Sequence, residues 1–436
     1  MADSEFTRTA PVSGFPEWLP EVRMVELRWL DRIREKFESY GFAPIETPAA
    51  ETLSALLKKG ETSQEVYTLH RLQDDSGGEA KLGLHFDLTV PFARYVAQHL
   101  NDLTFPFKRY QIQKVWRGER PQEGRFREFT QCDIDVINPD HVPLHFDAEV
   151  LRIASEVLTE LEIGQFVLRV NNRKVLEGFY RGLGVPDPVA VIRVMDKLDK
   201  LAAEQIERML VDQLGLTDGQ AKSCLRLAEL RGGDAPSVLR AVRDLGVNDE
   251  LLDEGLEELA YVLDALRDLP PGVVEADLSI ARGLDYYTGT VYEGTFTEFP
   301  KYGSICSGGR YADLAGAFTR RSLPGVGVSI GLTRIFAKLL TEGRLPVGPK
   351  CPTQVLVVVP GQDTQAATAV AAVLRGRGIN TEVFHQTAKL AKQLRYAIGK
   401  GIPYVWFPPF HDDAQHEVKA LATEEQVPAD PTVWLP

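Results

Sequence analysis

Cysteine is scarce in this chain: four residues occur among 436, far apart, and no two of them form a C-x-x-C pair. That spacing argues against a zinc site and against a disulfide framework. The sequence also has no apolar run close to the roughly 20 residues that a membrane helix needs. Its first twenty residues have no apolar core of the kind found in signal peptides. We therefore expect a cytoplasmic protein with no membrane partner.

Several signatures of ligand binding and catalysis are missing as well. The sequence contains neither G-x-x-x-x-G-K-[ST] nor G-x-G-x-x-G nor H-E-x-x-H, which argues against a P-loop, a dinucleotide fingerprint and a helical zinc-protease motif. The net charge of −13 argues against a protein that coats nucleic acid nonspecifically. Any RNA partner would have to be bound over a restricted basic face.

The length predicts more than one domain. At 436 residues, with 44% hydrophobic and 25% charged residues, the chain has globular composition and is too long for one core. Residues 17–40 have the apolar spacing of an amphipathic helix, and residues 82–137 are rich in strand and turn signals. Residues 189–269 predict a helical module between two β-rich parts. After a Pro/Gly linker, residues 355–407 predict a small parallel α/β domain.

Four arginines stand within residues 117–127, at the mouth of a predicted hairpin. A strand-like segment at 110–116 enters a Pro/Gly loop, and the chain then returns with alternating apolar residues. Guanidinium groups are always charged and suit bidentate contact with phosphate. The hairpin therefore predicts a site for a nucleoside triphosphate. The alternative is an exposed hairpin whose charge is balanced by nearby glutamates.

A second segment, residues 280–293, places Arg282 before a Gly-Leu-Asp turn that is followed by Tyr286 and Tyr287. A fixed cation with tyrosine hydroxyls suits the wall of a polar pocket. The alternative is a β-hairpin with aromatic cross-strand pairs.

A third segment combines glycines with arginine. Residues 307–311 read Ser-Gly-Gly-Arg-Tyr, and residues 325–331 form a glycine-spaced strand. Small residues let a flat ligand lie against the backbone. Arg334 would open the following helix, near its positive end, where phosphate is favoured. The alternative for the glycines is a tightly packed strand crossing.

Three acidic residues flank the arginine hairpin in sequence, namely Asp87, Asp133 and Asp135. Asp133 and Asp135 are two apart on a predicted strand, so their side chains should share one face. Carboxylates there could bind an ammonium, an imidazole or a metal, or they could pair with the arginines. The nearby His85 is predicted to be structural or exposed rather than catalytic.

Taken together, these segments resemble class II aminoacyl-tRNA synthetases, and specifically the histidyl-tRNA synthetase family, over about residues 15–436. Residues 45–48 resemble motif 1, the arginine hairpin resembles motif 2, and residues 325–334 resemble motif 3. The segments at 282–287 and 307–311 resemble two histidine-specific motifs, and they are highly specific in combination.

The resemblance implies an α+β fold, with a class II antiparallel sheet, flanking helices, a helical insertion and a C-terminal α/β anticodon-binding domain. The implied boundaries are 1–186 for the first catalytic part, 187–269 for the insertion, 270–345 for the second catalytic part, and 346–436 for the linker and anticodon-binding domain. Motif 1 implies a homodimer.

The resemblance also implies a two-step reaction. The carboxylate of histidine attacks the α-phosphate of ATP to give histidyl-adenylate and pyrophosphate, and histidine then moves to the 3′ end of tRNA-His. Arg117 would hold the α-phosphate, while Arg125 and Arg334 would hold the β- and γ-phosphates. Arg282 would stabilise the reacting carboxylate and the α-phosphate. Mg²⁺ would accompany ATP, with no protein-held metal and no tightly bound cofactor.

The histidine substrate offers an ammonium group and an imidazole with one donor and one acceptor nitrogen. The residues implied for its binding are Asp87, Thr89 and Gln131 around the ammonium, Asp135, Tyr287 and Tyr311 around the imidazole, and Arg282 at the carboxylate. Two positions depart from the family pattern. His85 stands where arginine is expected, and Thr333 stands where a glutamate often precedes the motif 3 arginine.

In the last domain, the segment from 389 to 405 resembles the core of the anticodon-binding domain. Its helix is expected to turn Leu390, Leu394 and Ile398 toward the sheet. The residues then left for tRNA phosphates are Lys389, Lys392 and Arg395.

Two other readings remain open from the sequence. The regulatory subunit of ATP phosphoribosyltransferase is a synthetase-like protein without charging activity, but it typically lacks the last domain and the motif 2 arginines. A class II synthetase for proline, threonine or glycine is the other, and the paired tyrosines after Arg282 argue against it.

Overall fold

The computed structural model describes residues 9–57, 65–73, 80–281, 287–313, 315–316, 318–359, 361, 364–409 and 414–436. The chain divides into two compact units. The first comprises Met1–Pro16 and Leu30–Gly343, and the second comprises Glu17–Trp29 and Arg344–Pro436.

The strands among the described residues are β1 (Ala43–Pro44), β2 (Ala50–Thr52), β3 (Thr68–Leu69), β4 (Leu82–Leu84), β5 (Phe107–Trp116), β6 (Glu128–Ile137), β7 (Phe166–Asn172), β8 (Arg231–Gly232), β9 (Val274–Asp277), β10 (Tyr287–Phe296), β11 (Ser304–Tyr311), β12 (Gly325–Gly331), β13 (Val355–Val357), β14 (Thr381–Val383), β15 (Tyr404–Phe407), β16 (Glu417–Ala420) and β17 (Gln426–Pro428).

The α-helices in the same part of the chain are α1 (Pro20–Ser39), α2 (Leu53–Leu56), α3 (Thr89–Gln98), α4 (His145–Glu160), α5 (Arg173–Gly182), α6 (Pro188–Met195), α7 (Ala203–Leu214), α8 (Asp218–Glu229), α9 (Ala235–Arg243), α10 (Glu250–Ala265), α11 (Leu332–Thr341), α12 (Gln365–Gly376) and α13 (Leu390–Lys400). Two 3₁₀-helices span Asp196–Asp199 and Pro300–Tyr302.

The first unit is built on a nine-stranded sheet in the order β1-β5-β6-β12-β11-β10-β7-β9-β8. Neighbouring strands in this sheet from β5 to β7 are all antiparallel, and its described parallel pairs are β1–β5 and β7–β9. A small sheet of β2, β4 and β3 belongs to the same unit. The predicted α+β class and its antiparallel sheet are confirmed.

The hairpin β5–β6 carries the arginine-rich turn. Its ten residue pairs run from Phe107 opposite Ile137 to Trp116 opposite Glu128, so the predicted strand begins three residues earlier than the pattern suggested. Gly124, in the turn, has φ of +70°, and a Cβ there would lie 2.7 Å from the Tyr302 ring. Glycine is therefore required both by the backbone conformation and by the close ring.

Helices α6 to α10 occupy most of residues 188–265, as the leucine- and charge-rich composition predicts. Side chains cap several of their N-termini: Asp187 accepts from the Ala190 amide, Thr217 from Gln220, and Asp249 from Leu251 and Leu252. Each cap satisfies backbone N–H groups that the first helical turn leaves unpaired. The buried faces of α7 and α8 are apolar, with Ile206, Leu210, Cys224 and Leu227 among them.

The second unit contains a five-stranded sheet in the order β14-β13-β15-β16-β17. Its first three strands are parallel, as predicted. Beyond the predicted segment, which ended at residue 407, β16 and β17 extend the sheet in antiparallel pairs. These two short strands are mostly polar, and β16 buries only Val418, so they lack the apolar run that marks a central strand.

The predicted orientation of α13 was wrong in part. Leu390 is 40% exposed and Ile398 is 65% exposed, whereas Gln393 and Ala397 are fully buried. Only Leu394 of the predicted apolar face packs against the core of this domain. Gln393 is buried because its amide accepts from the Val359 N–H and donates to the carbonyls of Val359 and Ala388, at 2.8 Å each.

Candidate active site

One face of the large sheet carries a row of polar side chains. Gln111, Asp133, Ser329, Ser307, Glu293 and Arg169 are direct cross-strand partners from β5 through β6, β12, β11 and β10 to β7. Directly opposed residues point to the same side of a sheet. Asp135 lies two residues from Asp133 and therefore shares this face, as its spacing predicts.

A cavity of about 620 Å³ opens on this face. Its lining includes Ser307 and Ser329 from the sheet and residues of the β5–β6 turn. The charged side chains in the described lining are Arg117, Arg120, Arg125, Arg334, Glu65 and Glu119. Four cations against two carboxylates leave an excess of positive charge, which suits a polyanionic ligand.

Two predicted phosphate ligands share a carboxylate in this cavity. Glu119 Oε1 lies 4.0 Å from NH1 of Arg117, and its Oε2 lies 3.3 Å from NH1 of Arg125. Arg117 is also held from behind, because its Nε donates to the Phe86 carbonyl at 3.0 Å. Arg117 is therefore fixed by the fold, whereas Arg125 has a side chain that is 49% exposed and reaches into solvent.

The third predicted phosphate ligand, Arg334, lines the same cavity from α11. Arg334, in the first turn of α11, donates to the carbonyls of Ser304 at 2.7 Å and Tyr302 at 2.8 Å. Its guanidinium carbon stands 5.4 Å from the centre of the Tyr302 ring. Backbone carbonyls and a ring face therefore hold the side chain in place.

Aromatic rings complete the cavity. Phe126 and Phe129 line it, and the guanidinium carbon of Arg117 lies 5.1 Å from the centre of the Phe129 ring. Ring faces beside cations can hold a flat base while the charged side chains hold phosphates. The arrangement can therefore take a nucleotide with its phosphates toward the arginines.

Gln131 joins the same cavity at the floor. Its side chain is 8% exposed, and Nε2 donates to Oγ of Ser329 at 2.5 Å. Ser329 is also the direct cross-strand partner of Asp133. Burial raises the pKa of Asp133 to about 7, although Arg109 and the Ser329 hydroxyl act in the opposite direction.

The predicted imidazole ligands form a second cluster on the same sheet. The phenol of Tyr311 donates to Oδ1 of Asp135 at 3.0 Å, and NH2 of Arg109 lies 2.6 Å from Oδ2. Tyr287 is the direct partner of Tyr311 between β10 and β11. A Cβ on Gly327 would overlap the Asp135 carboxylate, so the glycine makes room for this side chain.

Asp87 and Thr89 lie at the start of α3. Asp87 is 6% exposed, and its Oδ1 accepts from the Val90 amide at 3.1 Å. It is close enough to Asp133 to raise the pKa of that carboxyl group. Thr89 is the first residue of the helix and is partly buried. Both stand beside the acidic cluster, outside the lining of the 620 Å³ cavity.

The two departures from the family pattern are structural. His85 is fully buried, its Nε2 lies 2.7 Å from the Lys114 carbonyl, and burial lowers the pKa of its imidazole. A neutral ring that donates to a carbonyl cannot replace an arginine at an anion. Thr333 accepts the Thr130 amide at 2.9 Å and so ties α11 to β6.

Arg310, the arginine of the Ser-Gly-Gly-Arg-Tyr segment, also proves structural. It lies on the opposite face of the sheet, where it bonds Asp147 of α4 and the Val142 carbonyl. Its neighbours Gly309 and Tyr311 face the site.

The predicted role of Arg282 falls on residues 282–286, which lie outside the described part of the chain. Ala281 and Tyr287, on either side, are described. In the ranges that the structure covers, no group of three or more His, Cys, Asp or Glu side chains could hold a metal ion. Within the same ranges, no helix has the length and apolar character needed to cross a membrane.

The predicted tRNA contacts are in the second unit. Lys389, Lys392 and Arg395 are exposed on α13 and its first flanking residue. Arg395 Nε reaches the carbonyl of Ala391 in its own helix at 3.3 Å. The three cations therefore lie at the surface of this domain.

Some residues of the site were not predicted. Arg109 is fully buried against Asp135, with its guanidinium carbon 4.1 Å from the centre of the Phe92 ring. The observed register pairs Arg109 with Asp135, but it is offset by three residues from the Gln122–Arg125 pair at the turn, so the turn did not reveal this partner. Ser329 carried no such signal, because its role depends on β12 lying beside β6.

Comparisons with known proteins identify relatives of this chain. The family model of histidyl-tRNA synthetase matches residues 14–335, and that of the anticodon binding domain matches residues 354–429. A histidine–tRNA ligase of Thermobifida fusca is 66% identical over 437 residues, covering 100% of both chains. One from Micrococcus luteus is 50% identical over 446 residues, covering 99% of this chain and 97% of that one.

Among solved structures, the histidyl-tRNA synthetase from Nostoc sp. PCC 7120 has a TM-score of 0.86 and 38% identity, with 97% of each chain covered. The predicted anticodon-binding domain is thereby confirmed, and the chain belongs to the histidyl-tRNA synthetase family.

Proposed function

We propose that the chain is an aminoacyl-tRNA ligase that activates histidine with ATP and transfers it to the 3′ end of tRNA-His. The observation that carries this proposal is the cavity in which Arg117, Arg125 and Arg334 meet beside aromatic rings and Gln131. Arginines from a hairpin and from a distant helix supply the positive charge that a bent triphosphate needs.

In the first step, a carboxylate oxygen of histidine attacks the α-phosphorus, and the bond to the bridging oxygen of pyrophosphate breaks. Arg117 binds the α-phosphate, and the hydrogen bond from its Nε to the Phe86 carbonyl keeps the guanidinium group aligned. Arg125 and Arg334 bind the β- and γ-phosphates, and the charge of the departing pyrophosphate develops beside them. Arg282 stabilises the carboxylate and the α-phosphate. Mg²⁺ arrives bound to ATP.

Histidine recognition uses both acidic regions of the site. Asp87, Thr89 and Gln131 accept from the ammonium group, which has three donors and no acceptor. The imidazole lies against Asp135, Tyr287 and Tyr311. Because Arg109 and Tyr311 hold Asp135 as an oriented carboxylate, it accepts from an imidazole N–H. A ligand without that donor leaves the buried carboxylate unpaired, which is costly.

In the second step, tRNA-His is also bound by residues that do not take part in the reaction. We assign phosphate contacts to Lys389, Lys392 and Arg395 of the anticodon-binding domain. The four segments 1–186, 187–269, 270–345 and 346–436 are our proposal for the domain boundaries. We further propose a cytoplasmic homodimer with an interface at residues 45–48, which light scattering of the purified protein would test.

Pyrophosphate exchange tests the proposed reaction directly. Labelled pyrophosphate should enter ATP with histidine, and not with proline, threonine or glycine. Replacing Arg282 with alanine should reduce exchange by about 100-fold or more while the circular dichroism spectrum is retained. Absence of histidine-dependent exchange, combined with binding to a phosphoribosyltransferase, would instead identify a regulatory subunit.

A further inference from the structure

Three polar side chains on β6 and β12 lie in a row that ends in the cavity. Gln131 Nε2 donates to Ser329 Oγ at 2.5 Å, and both residues line the cavity. Ser329 is the direct cross-strand partner of Asp133, so the two side chains lie next to each other on one face of the sheet, and the Ser329 hydroxyl acts to lower the pKa of that carboxyl group. Asp133 is 3% exposed and does not line the cavity, so its effect on a ligand there passes through Ser329.

The direction of these hydrogen bonds follows from the number of protons available. A serine hydroxyl has one proton, and an ionised carboxylate can only accept. The Ser329 proton therefore points to Asp133, and Oγ presents its lone pairs to Gln131. That arrangement selects the NH₂ end of the Gln131 amide for Ser329. The opposite end, Oε1, is buried without a partner among the described residues.

We propose that Ser329 and Asp133 are positioning residues that fix the Gln131 amide, so that Oε1 accepts from the α-ammonium group of the amino acid substrate. The inference rests on the proposed function, in which Gln131 contacts that group. With the amide reversed, NH₂ donors would face an ammonium that has only donors of its own. The relay thus selects for ligands with a primary amine.

The protonation state of Asp133 determines the direction of hydrogen-bond donation in this relay of Asp133, Ser329 and Gln131. The groups that face it are Arg109 and Gln111 on β5, Asp135 on β6, Asp87 before α3, and Ser329 on β12. Arg109 favours the ionised form and the other two carboxylates oppose it. When Asp133 is protonated, its own O–H can donate to Ser329, and the serine hydroxyl can then turn and donate its proton to Gln131. The ionised form is the one that presents Oε1.

The test compares Ser329→Ala with Ser329→Thr in histidine-dependent pyrophosphate exchange. Ser329→Ala should raise the KM for histidine by about tenfold, which corresponds to about 1.4 kcal/mol, and leave the KM for ATP within about twofold. Ser329→Thr retains the hydroxyl and should stay within about threefold of wild type for histidine.

Two competitive inhibitors separate the relay from general damage to the pocket. Histidinol retains the amine, and its inhibition constant should rise with the KM in Ser329→Ala. The propionate analogue 3-(imidazol-4-yl)propionate lacks the amine, and its inhibition constant should not change. An equal loss for both inhibitors would overturn the proposal, as would an unchanged KM for histidine.

A double-mutant cycle addresses Asp133. Asp133→Ala removes the acceptor; it should raise the KM for histidine when Ser329 is present and should have no further effect in Ser329→Ala, because the two residues act through one chain of hydrogen bonds. Additive effects would contradict the relay. Failure of the proposed function is recognised separately, since wild-type protein would then show no histidine-dependent exchange at all.

Discussion

Tyr311 donates its phenolic O–H to Oδ1 of Asp135 over 3.0 Å, although 176 residues separate the two in sequence. The other carboxylate oxygen lies 2.6 Å from Arg109. Both oxygens of Asp135 are therefore held before any ligand arrives. In the proposed function, the imidazole N–H of histidine meets a carboxylate whose orientation is already fixed, so little rotamer freedom of Asp135 is lost on binding.

Removal of the Tyr311 hydroxyl tests this orientation. Tyr311→Phe should raise the KM for histidine by about tenfold, because one of the two contacts that orient Asp135 is lost. The KM for ATP should change by less than about twofold. The control is Tyr261→Phe, at a side chain that is 45% exposed on α10, and it should match wild type. Steady-state exchange kinetics measure all three proteins.

The space beside Asp135 can be tested with a single methyl group. Gly327→Ala would place a Cβ against the Asp135 carboxylate. We expect the KM for histidine to rise by about tenfold or more and the free energy of unfolding to fall by about 1–3 kcal/mol. Gly348→Ala is the matched control, since nothing lies within 4 Å of its added Cβ. Equal behaviour of the two variants would contradict the assigned role of Gly327.

The nucleotide contacts are tested at the most exposed arginine of the cavity. Arg125→Ala should raise the KM for ATP by about tenfold or more, with the KM for histidine changed by less than about threefold. The 49% exposure of this side chain predicts little effect on stability. Arg243→Ala, at a side chain 63% exposed on α9, should leave both constants unchanged. A normal KM for ATP in Arg125→Ala would rule out the phosphate contact.

Asp133 should make stability depend on pH. Its pKa rises from 3.8 in the unfolded chain to about 7 in the fold, so the folded state binds the extra proton between these values. Stability is therefore highest at low pH in this window and is lost as the pH rises through about 7. Asp133→Asn cannot ionise. The free energy of unfolding of this variant, relative to that of wild type, should rise by about 3 kcal/mol between pH 5 and pH 8.

Chemical unfolding at pH 5 and pH 8, followed by near-ultraviolet circular dichroism, measures that difference. Wild type and variant share all other titrating groups, so the comparison isolates Asp133. Parallel pH dependence in the two proteins would show that this carboxyl group does not retain its proton in the fold.

The basic residues of α13 are tested by separating the two half-reactions. Replacing Lys389, Lys392 and Arg395 together with alanine should weaken tRNA charging and leave pyrophosphate exchange unchanged. The slope of log affinity against log salt should flatten by about 2, as expected for three lost contacts to a single strand. Substituting Arg for both lysines preserves the charge and serves as the control. Loss of exchange in the alanine variant would indicate a structural role instead.

The sequence predicted most of the arginine cavity because its residues are grouped locally. The hairpin from 110 to 136 and the helix start at Arg334 are short-range patterns, and their elements occur where expected. Arg109 was missed because the pair at the turn, Gln122 with Arg125, is offset by three residues from the register that places Arg109 opposite Asp135. Ser329 could not be predicted, since nothing in the sequence states that β12 pairs with β6.

The errors in the last domain have a different cause. Apolar periodicity assigned Leu390 and Ile398 to the buried face of α13, but both are exposed. Gln393 takes the buried position because its amide completes the backbone hydrogen bonds at Val359. A polar side chain that replaces a missing strand partner has no signature in a hydrophobic pattern.

Glu119 has a consequence for product release. This one carboxylate lies 4.0 Å from Arg117 and 3.3 Å from Arg125. In the proposed function, an incoming nucleotide therefore competes with Glu119 for both arginines. A triphosphate can do so, because it brings several charges at once. AMP, which is left after the aminoacyl group has moved to tRNA, carries fewer negative charges. Glu119 can therefore pair with both arginines again as AMP dissociates.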